Sequence, residues 1–336
     1  MYNETKTKME QDIRVDIKEN YIKKLDDSLL SILLKDHSSG KNIIWATDNY
    51  VQKGLAYASY EPITVKAITG RYGNVIKPRV GKSKKEQLHR VKDKAEVFTP
   101  SWICNSQNNL VDNAWFGREN VFNVETEKTW KTNTEKIPFP QGKSWQDYVK
   151  ANRMEISCGE APYLCSRYDT VTGLWIELGD RIGILDRKIR IINENTVTKE
   201  DWVTWVQEAY KATYGFEWQG DSLLIARENL LFTFIDYYQG RFSEMPLNEE
   251  LQEVAKIISW NIFQMDGLKF VIPNSCKPVP ILQQSFFDLI DGTKDETEPC
   301  PGCETGDNKK HSGIYCKIMD WQKKKPIRFI DLTENK

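Results

Sequence analysis

The feature that most restricts how this sequence can fold is an alternation. Three short apolar runs with strand character, at residues 153–157, 214–218 and 257–262, are separated by stretches of helical periodicity. Strands spaced this way do not pair as hairpins, and the simplest solution is a parallel sheet wound with helices. Helix signals fall between the runs. Thr198-Lys199-Glu200-Asp201 reads as a capping box ahead of the stripe Trp202, Val203, Trp205, Val206, Ala209 and Tyr210. Asp221 is placed to cap a second helix with the stripe Leu224, Leu231, Ile235 and Tyr238. Upstream, residues 13–35 read as a polar helix leading into an apolar one that ends in the turn 36–40. Residues 42–47 and 63–68 suggest short strands, and residues 120–150, with Pro138 and Pro140, a polar connector. Thr99 suits an N-cap and Pro100 the first position of a helix.

In an open parallel sheet, ligands bind beyond the carboxyl ends of the strands. The first run is followed by Cys158-Gly159-Glu160-Ala161-Pro162-Tyr163-Leu164, a tight turn that would start a helix. The second leads into Glu217 and Trp218, and the third into Gln264-Met265-Asp266-Gly267. A glycine turn that lets backbone approach, an acid for two ribose hydroxyls and an acid for an exocyclic amine make a set suited to an adenosine ligand.

On these residues the chain resembles the amino-methylating DNA methyltransferases of restriction–modification systems. The resemblance spans about residues 90–269 and rests on four motifs. Ala95-Glu96-Val97-Phe98-Thr99-Pro100 is similar to the family's opening motif, in which a helix N-terminus holds the methionine part of S-adenosylmethionine. The resemblance therefore assigns Phe98 and Thr99 to the cofactor. The stretch from Glu155 to Leu164 resembles the cofactor loop, and gives Glu155, Cys158, Gly159 and Glu160. Tyr214-Gly215-Phe216-Glu217 resembles the strand end that grips the ribose, with Glu217 and Trp218 as contacts. The stretch from Asn261 to Lys269 is similar to the adenine motif, with Asp266 and Gly267.

The resemblance implies an α/β, Rossmann-like S-adenosylmethionine methyltransferase fold, a partial parallel sheet with flanking helices behind an N-terminal helical or mixed extension. It divides the chain into an extension with a basic, DNA-facing segment (1–90), a cofactor-binding domain (91–272), and an insertion that runs into the next strand (273–336). It implies an adenine-specific DNA methyltransferase acting on double-stranded DNA. Ala161 stands where the family has a second glycine, which would put a methyl near the cofactor, and Glu155 replaces an aspartate. The separation of Cys158 from Glu217 implies an inserted segment around residues 166–210. The family's catalytic tetrapeptide, Asn-Pro-Pro-Tyr or Asp-Pro-Pro-Tyr, does not occur: Ile272-Pro273-Asn274-Ser275 has the wrong order and no aromatic. No catalytic residue can be nominated, and the strand that would precede the tetrapeptide is expected near residues 327–332. A sheet built only of strands one to three would leave its first strand as an open edge. That implies a second polypeptide carrying the catalytic motif and target recognition, or else truncation of a longer gene. Two other readings are a DNA-binding accessory or specificity protein with a degenerate methyltransferase fold, and an inert remnant or decoy.

Seven cysteines are present. Cys104, Cys158, Cys165 and Cys276 lie singly and read as free thiols of a reducing compartment. Cys300-Pro301-Gly302-Cys303 followed by His311 and Cys316 reads instead as a zinc knuckle, with Cys276 able to stand in for His311. The net charge of −1 does not advertise nucleic-acid binding, but nine basic residues against two acids lie between Arg71 and Lys94. That segment is either a phosphate-tracking surface or a solvated face. Apolar stretches reach five or six residues and the N-terminus is charged, so a cytoplasmic protein without a membrane span is expected.

Overall fold

The computed structural model describes residues 19–94, 98–280 and 297–333, without the side chains of residues 89 and 92–94. Within the stretch expected to be helical, two short helices are described, α1 (Glu19–Leu25) and α2 (Leu29–Leu34), while residues 13–18 lie outside the described part. The turn after α2 forms as expected, with Asp36 accepting from the N–H and hydroxyl of Ser39.

Neither expected strand upstream of the basic segment forms. Residues 65–68 are helix α3 (Val65–Ile68), because the Thr64 hydroxyl accepts from the Ala67 N–H and starts a turn. Residues 42–47 are bent by Ala46, whose φ is 62°. They are held by scattered bonds, among them Ile63 N–H to the Ile43 carbonyl and both ends of the Gln264 amide on Ile44 at 2.8 Å.

After α4 (Lys84–Lys94) comes α5 (Ser101–Phe116), one residue later than the expected start. Pro100 takes the cap position, and the Ser101 N–H donates to Asp169 Oδ2 at 2.6 Å. The expected connector carries the antiparallel hairpin β1 (Asn123–Thr126) and β2 (Thr129–Thr132), then α6 (Trp145–Lys150), whose capping box joins Ser144 and Asp147.

The predicted parallel sheet is present. Strand β3 (Arg153–Ile156) pairs with β4 (Thr213–Glu217), which pairs with β5 (Ile262–Gln264), all parallel, in the order β3-β4-β5. Helices α7 (Ile184–Asn195) and α8 (Lys199–Lys211) connect β3 to β4. Helices α9 (Gly220–Phe242) and α10 (Asn248–Asn261) connect β4 to β5. This is a mixed α/β arrangement, a three-stranded parallel sheet with flanking helices, and it is compatible with a Rossmann-like fold.

Two expectations shift here. The third strand begins at Ile262, because residues 257–261 finish α10: Leu251, Val254, Ala255 and Ile258 recur at helical spacing and are all buried. Asp221 lies in the first turn of α9 but is not its cap, which is Gln219. Helix α9 is buried around most of its circumference, at the centre of a core shared by residues of α1 and α2 and by residues of α7, α8 and α10. Gly220 is required where it stands. A Cβ there would meet the Ile44 carbonyl oxygen at 2.0 Å, so glycine lets the N-terminal segment lie directly on the start of α9.

Beyond β5 the chain forms the short pair β6 (Val279–Pro280) and β7 (Thr297–Glu298), helix α11 (Pro301–Thr305), and the hairpin β8 (Lys317–Asp320) and β9 (Lys325–Arg328). The strand expected near residues 327–332 is thus only in part a strand. It pairs antiparallel with β8 rather than extending the parallel sheet, and Phe329–Leu332 is a 3-10 turn. Phe216 of β4 and Phe263 of β5 pack with Ile318 and Cys316 in a second, smaller core. This leaves Met154 and Ile156 of β3 exposed, Ile156 by 72%. Among the described residues, β3 pairs on one side only. Among the described residues, no helix is long and apolar enough to cross a membrane.

Candidate functional site

The segments after β3 and β4 meet in one cavity of about 690 Å³. Strand β3 ends in a loop with three residues in the left-handed region, Ser157, Gly159 and Ala161, at φ 51°, 53° and 64°. This curls the backbone over the end of β4, where the Gly159 N–H donates to Glu217 Oε2 at 2.9 Å. Glu217 Oε1 accepts from the Gln219 N–H at 3.0 Å. The sequence-nominated Phe98, Thr99, Glu155, Cys158, Gly159, Glu160, Glu217 and Trp218 all line the cavity. Ala46, Thr47, Gln219 and Ser222 line it too and were not nominated. The first two come from an N-terminal segment that carries no readable motif; Ser222 lies in the first turn of α9.

Two side chains of the wall each carry a buried polar atom without a partner. Glu155 is 8% exposed; its Oε1 is 3.5 Å from the Tyr163 N–H, and its Oε2 has no hydrogen-bond partner. The Ser222 hydroxyl is buried and equally unpartnered. Burial pushes the Glu155 carboxyl well above the usual range, against the pull of the Tyr163 and Leu164 N–H groups. Burial also raises Glu217, opposed by the N–H groups it accepts from. A buried polar atom without a partner costs free energy, and both of these atoms belong to side chains that line the cavity.

Other nominated residues have structural work. Glu160 accepts from the Arg79 N–H at 2.6 Å and from the Tyr168 hydroxyl at 2.8 Å, which ties the basic segment to the loop. Cys158 is a buried thiol, raised by desolvation. Asp266 and Gly267 do not line the cavity. Asp266 Oδ1 instead accepts from the N–H groups of Leu268 and Lys269, closing its own turn, and a Cβ at Gly267 would strike Phe216. Ala161 is fully buried in the core, so its methyl does not enter the cavity as its place in the motif suggested. At the start of α5, Asp169 already occupies the Ser101 N–H. Burial of that carboxyl is outweighed by its bonds from Ser101 and Thr172, which hold it below the ordinary range.

The basic segment is only partly a surface. Arg71, Lys77, Lys84 and Lys85 are exposed. Arg79 lies over the Phe98 ring, while Lys82 and Arg90 are buried against Asp221, Arg90 at 2.5 Å. The Tyr50 hydroxyl donates to the same Asp221 oxygen at 2.8 Å. Burial would raise the Asp221 carboxyl, but Arg90 and Lys82 bring it down to about 2. A depressed carboxylate stabilises the fold above its unfolded value near 4 and loses that contribution as pH falls toward 2, an effect of about 2 kcal/mol. The gap in unfolding free energy between wild type and Asp221→Asn is therefore expected to narrow by about 2 kcal/mol between about pH 6 and pH 2. Urea titrations at the two pH values check this, and a constant gap contradicts it.

The cysteine cluster differs from its expected composition in one ligand. Cys276, Cys300, Cys303 and His311 bring one donor atom each to within 4.8 Å of one another, a Cys₃His group that could hold zinc. Cys316 is not among them. It is buried in the smaller core, its thiol donating to the Gln264 carbonyl at 3.2 Å. No protein-family model, curated protein or solved structure matches the chain.

Proposed function

We propose that this chain is the S-adenosylmethionine-binding component of a DNA adenine-N6 methyltransferase of a restriction–modification system. The observation that carries the reading is the convergence of three motif segments, at Phe98–Thr99, Glu155–Tyr163 and Glu217–Trp218, on one cavity with unpartnered polar atoms in its wall. The cavity volume falls in the range of small-molecule sites. Glu155 suits an ammonium nitrogen, such as the α-amino group of the cofactor's methionine part. Glu217 has lone pairs beyond the two it uses and suits ribose hydroxyls. Trp218 and Phe98 offer aromatic surface to the adenine. The cofactor, when bound, supplies an activated methyl group; the residues of this chain bind and orient it. Calorimetric titration with S-adenosylmethionine is expected to show one site per chain, and no heat with the wild type would overturn the reading.

In this reading double-stranded DNA is the substrate, and a second polypeptide carrying the catalytic tetrapeptide pairs with the open edge of β3 across Met154 and Ile156. Met154→Lys should then abolish co-sedimentation with a candidate tetrapeptide-bearing chain while sparing cofactor binding. Unchanged association contradicts this docking. A second reading, a DNA-binding accessory protein on a degenerate methyltransferase fold, is favoured by the two nominated anchors spent elsewhere, Asp266 in its own turn and the α5 start on Asp169. DNA binding that weakens steeply with salt, without any cofactor binding, would select it.

A further inference from the structure

We infer that Cys276, Cys300, Cys303 and His311 bind one zinc ion, and that this ion fastens the C-terminal segment to the turn following β5. The geometry is that of a tetrahedral site. His311 Nδ1 lies 3.7 Å from the Cys276 sulfur, 3.6 Å from that of Cys300 and 3.7 Å from that of Cys303. With zinc–sulfur distances of about 2.3 Å and zinc–nitrogen of about 2.0 Å, the sulfur–nitrogen edge of a tetrahedron is about 3.5 Å. One imidazole nitrogen can make a single hydrogen bond, so three thiols at equal distance around it are explained by a shared ion and not by pairing among themselves.

The surroundings are built for this arrangement. Gly302, inside the Cys-Pro-Gly-Cys turn, leaves room for the imidazole, since a Cβ there would come within 2.6 Å of His311 Nδ1. The Ser312 N–H donates to the Cys300 sulfur at 3.1 Å, and Lys269 Nζ to that of Cys303 at 3.4 Å. Three thiolates around a divalent ion leave one net negative charge, and these outer donors offset it. All four positions are filled by protein side chains, which marks a structural site rather than a catalytic one.

The fastening follows from where the ligands sit. Cys276 lies between β5 and β6, while Cys300, Cys303 and His311 lie beyond β7, so the ion joins these two segments. Around it, Ser312 bridges to the N–H and carbonyl of Lys277, and the Ser275 hydroxyl accepts from the Ile314 N–H. Lys269 lies in the turn shaped by Asp266, so the charged site also holds that turn in place. None of this depends on what the cavity binds.

The test uses the full chain, expressed without a histidine tag and kept reduced, with metal content measured by mass spectrometry. We expect about one zinc per chain, an at least tenfold loss in Cys276→Ser and Cys300→Ser, and retention in Cys316→Ser. If Cys300→Ser does not fold, cobalt(II) loading of the wild type should give the intense visible absorption of a tetrahedral thiolate site. Chelation should raise proteolytic cleavage within residues 297–316 at least tenfold. Wild type without zinc after reconstitution, zinc lost in Cys316→Ser but kept in Cys276→Ser, or cleavage unmoved by chelation would overturn the inference.

Discussion

Replacing Glu155 by glutamine is expected to weaken S-adenosylmethionine binding about ten- to a hundredfold, the worth of one charge-assisted hydrogen bond, while leaving the unliganded chain at least as stable. Both halves follow from the position of the carboxyl. Its Oε2 has no hydrogen-bond partner in the protein, and burial holds the group protonated well above the usual carboxylate range. Glutamine is nearly isosteric with that neutral form. The sign of the pH effect also follows. A carboxyl whose folded value is raised contributes stability below its unfolded value near 4.5, and that stability is lost as pH rises through the folded value. Wild type should therefore lose stability relative to Glu155→Gln as pH rises above about 4.5. An ammonium ligand needs the ionised form, so binding should release a proton from this group. Calorimetry in two buffers of different ionisation enthalpy, with thermal unfolding of the empty proteins, measures both effects. Equal affinities for wild type and variant would remove Glu155 from the ligand site.

The largest loss of stability is expected at Arg227. Its guanidinium is fully buried in α9 and donates to the carbonyls of Leu33, Lys35, Ser259 and Ile262, which belong to the end of α2, to α10 and to β5. Burial lowers it to about 10, partly offset by Asp36, so it stays charged at neutral pH. Arg227→Met removes a donor that reaches three elements at once and leaves those carbonyls in a dry interior. Each stranded acceptor costs about 1 kcal/mol or more, and breaking a buried charged network costs about 3–5 kcal/mol. Urea unfolding should show a drop of that size, with Arg227→Lys in between because an ammonium cannot span all four acceptors. A change below about 1 kcal/mol would contradict this account.

How much was legible in the sequence differs by element, for physical reasons. Strands β3 and β4 and the loop after β3 could be read because apolar runs end there in residues whose turn chemistry is local. The start of β5 was misplaced because Ile257 and Ile258 look the same in a strand and on the buried face of a helix. Asp266 carried the right motif, yet its carboxylate is used by its own turn, a competition that spacing does not reveal. Lys82 and Arg90 counted as surface charge because their partner, Asp221, lies 131 residues beyond Arg90. Spacing offers Cys276 only as a stand-in for His311, with the nearer Cys316 completing the set; the fold instead brings Cys276 to the cluster beside His311 and leaves Cys316 in the smaller core. Ser222 gives one faint signal, a hydroxyl in the first turn of a helix that starts at the end of a strand, and Ala46 and Thr47 give none.

The central claim, that the cavity between the β3 loop and the end of β4 is a cofactor site, is tested most directly by light-induced crosslinking of radiolabelled S-adenosylmethionine to the intact chain, followed by peptide mapping. The account predicts label on peptides containing Phe98–Thr99, Glu155–Tyr163 or Glu217–Ser222, displaced by excess unlabelled cofactor. Absence of displaceable label, or label confined to peptides that do not border the cavity, would contradict it.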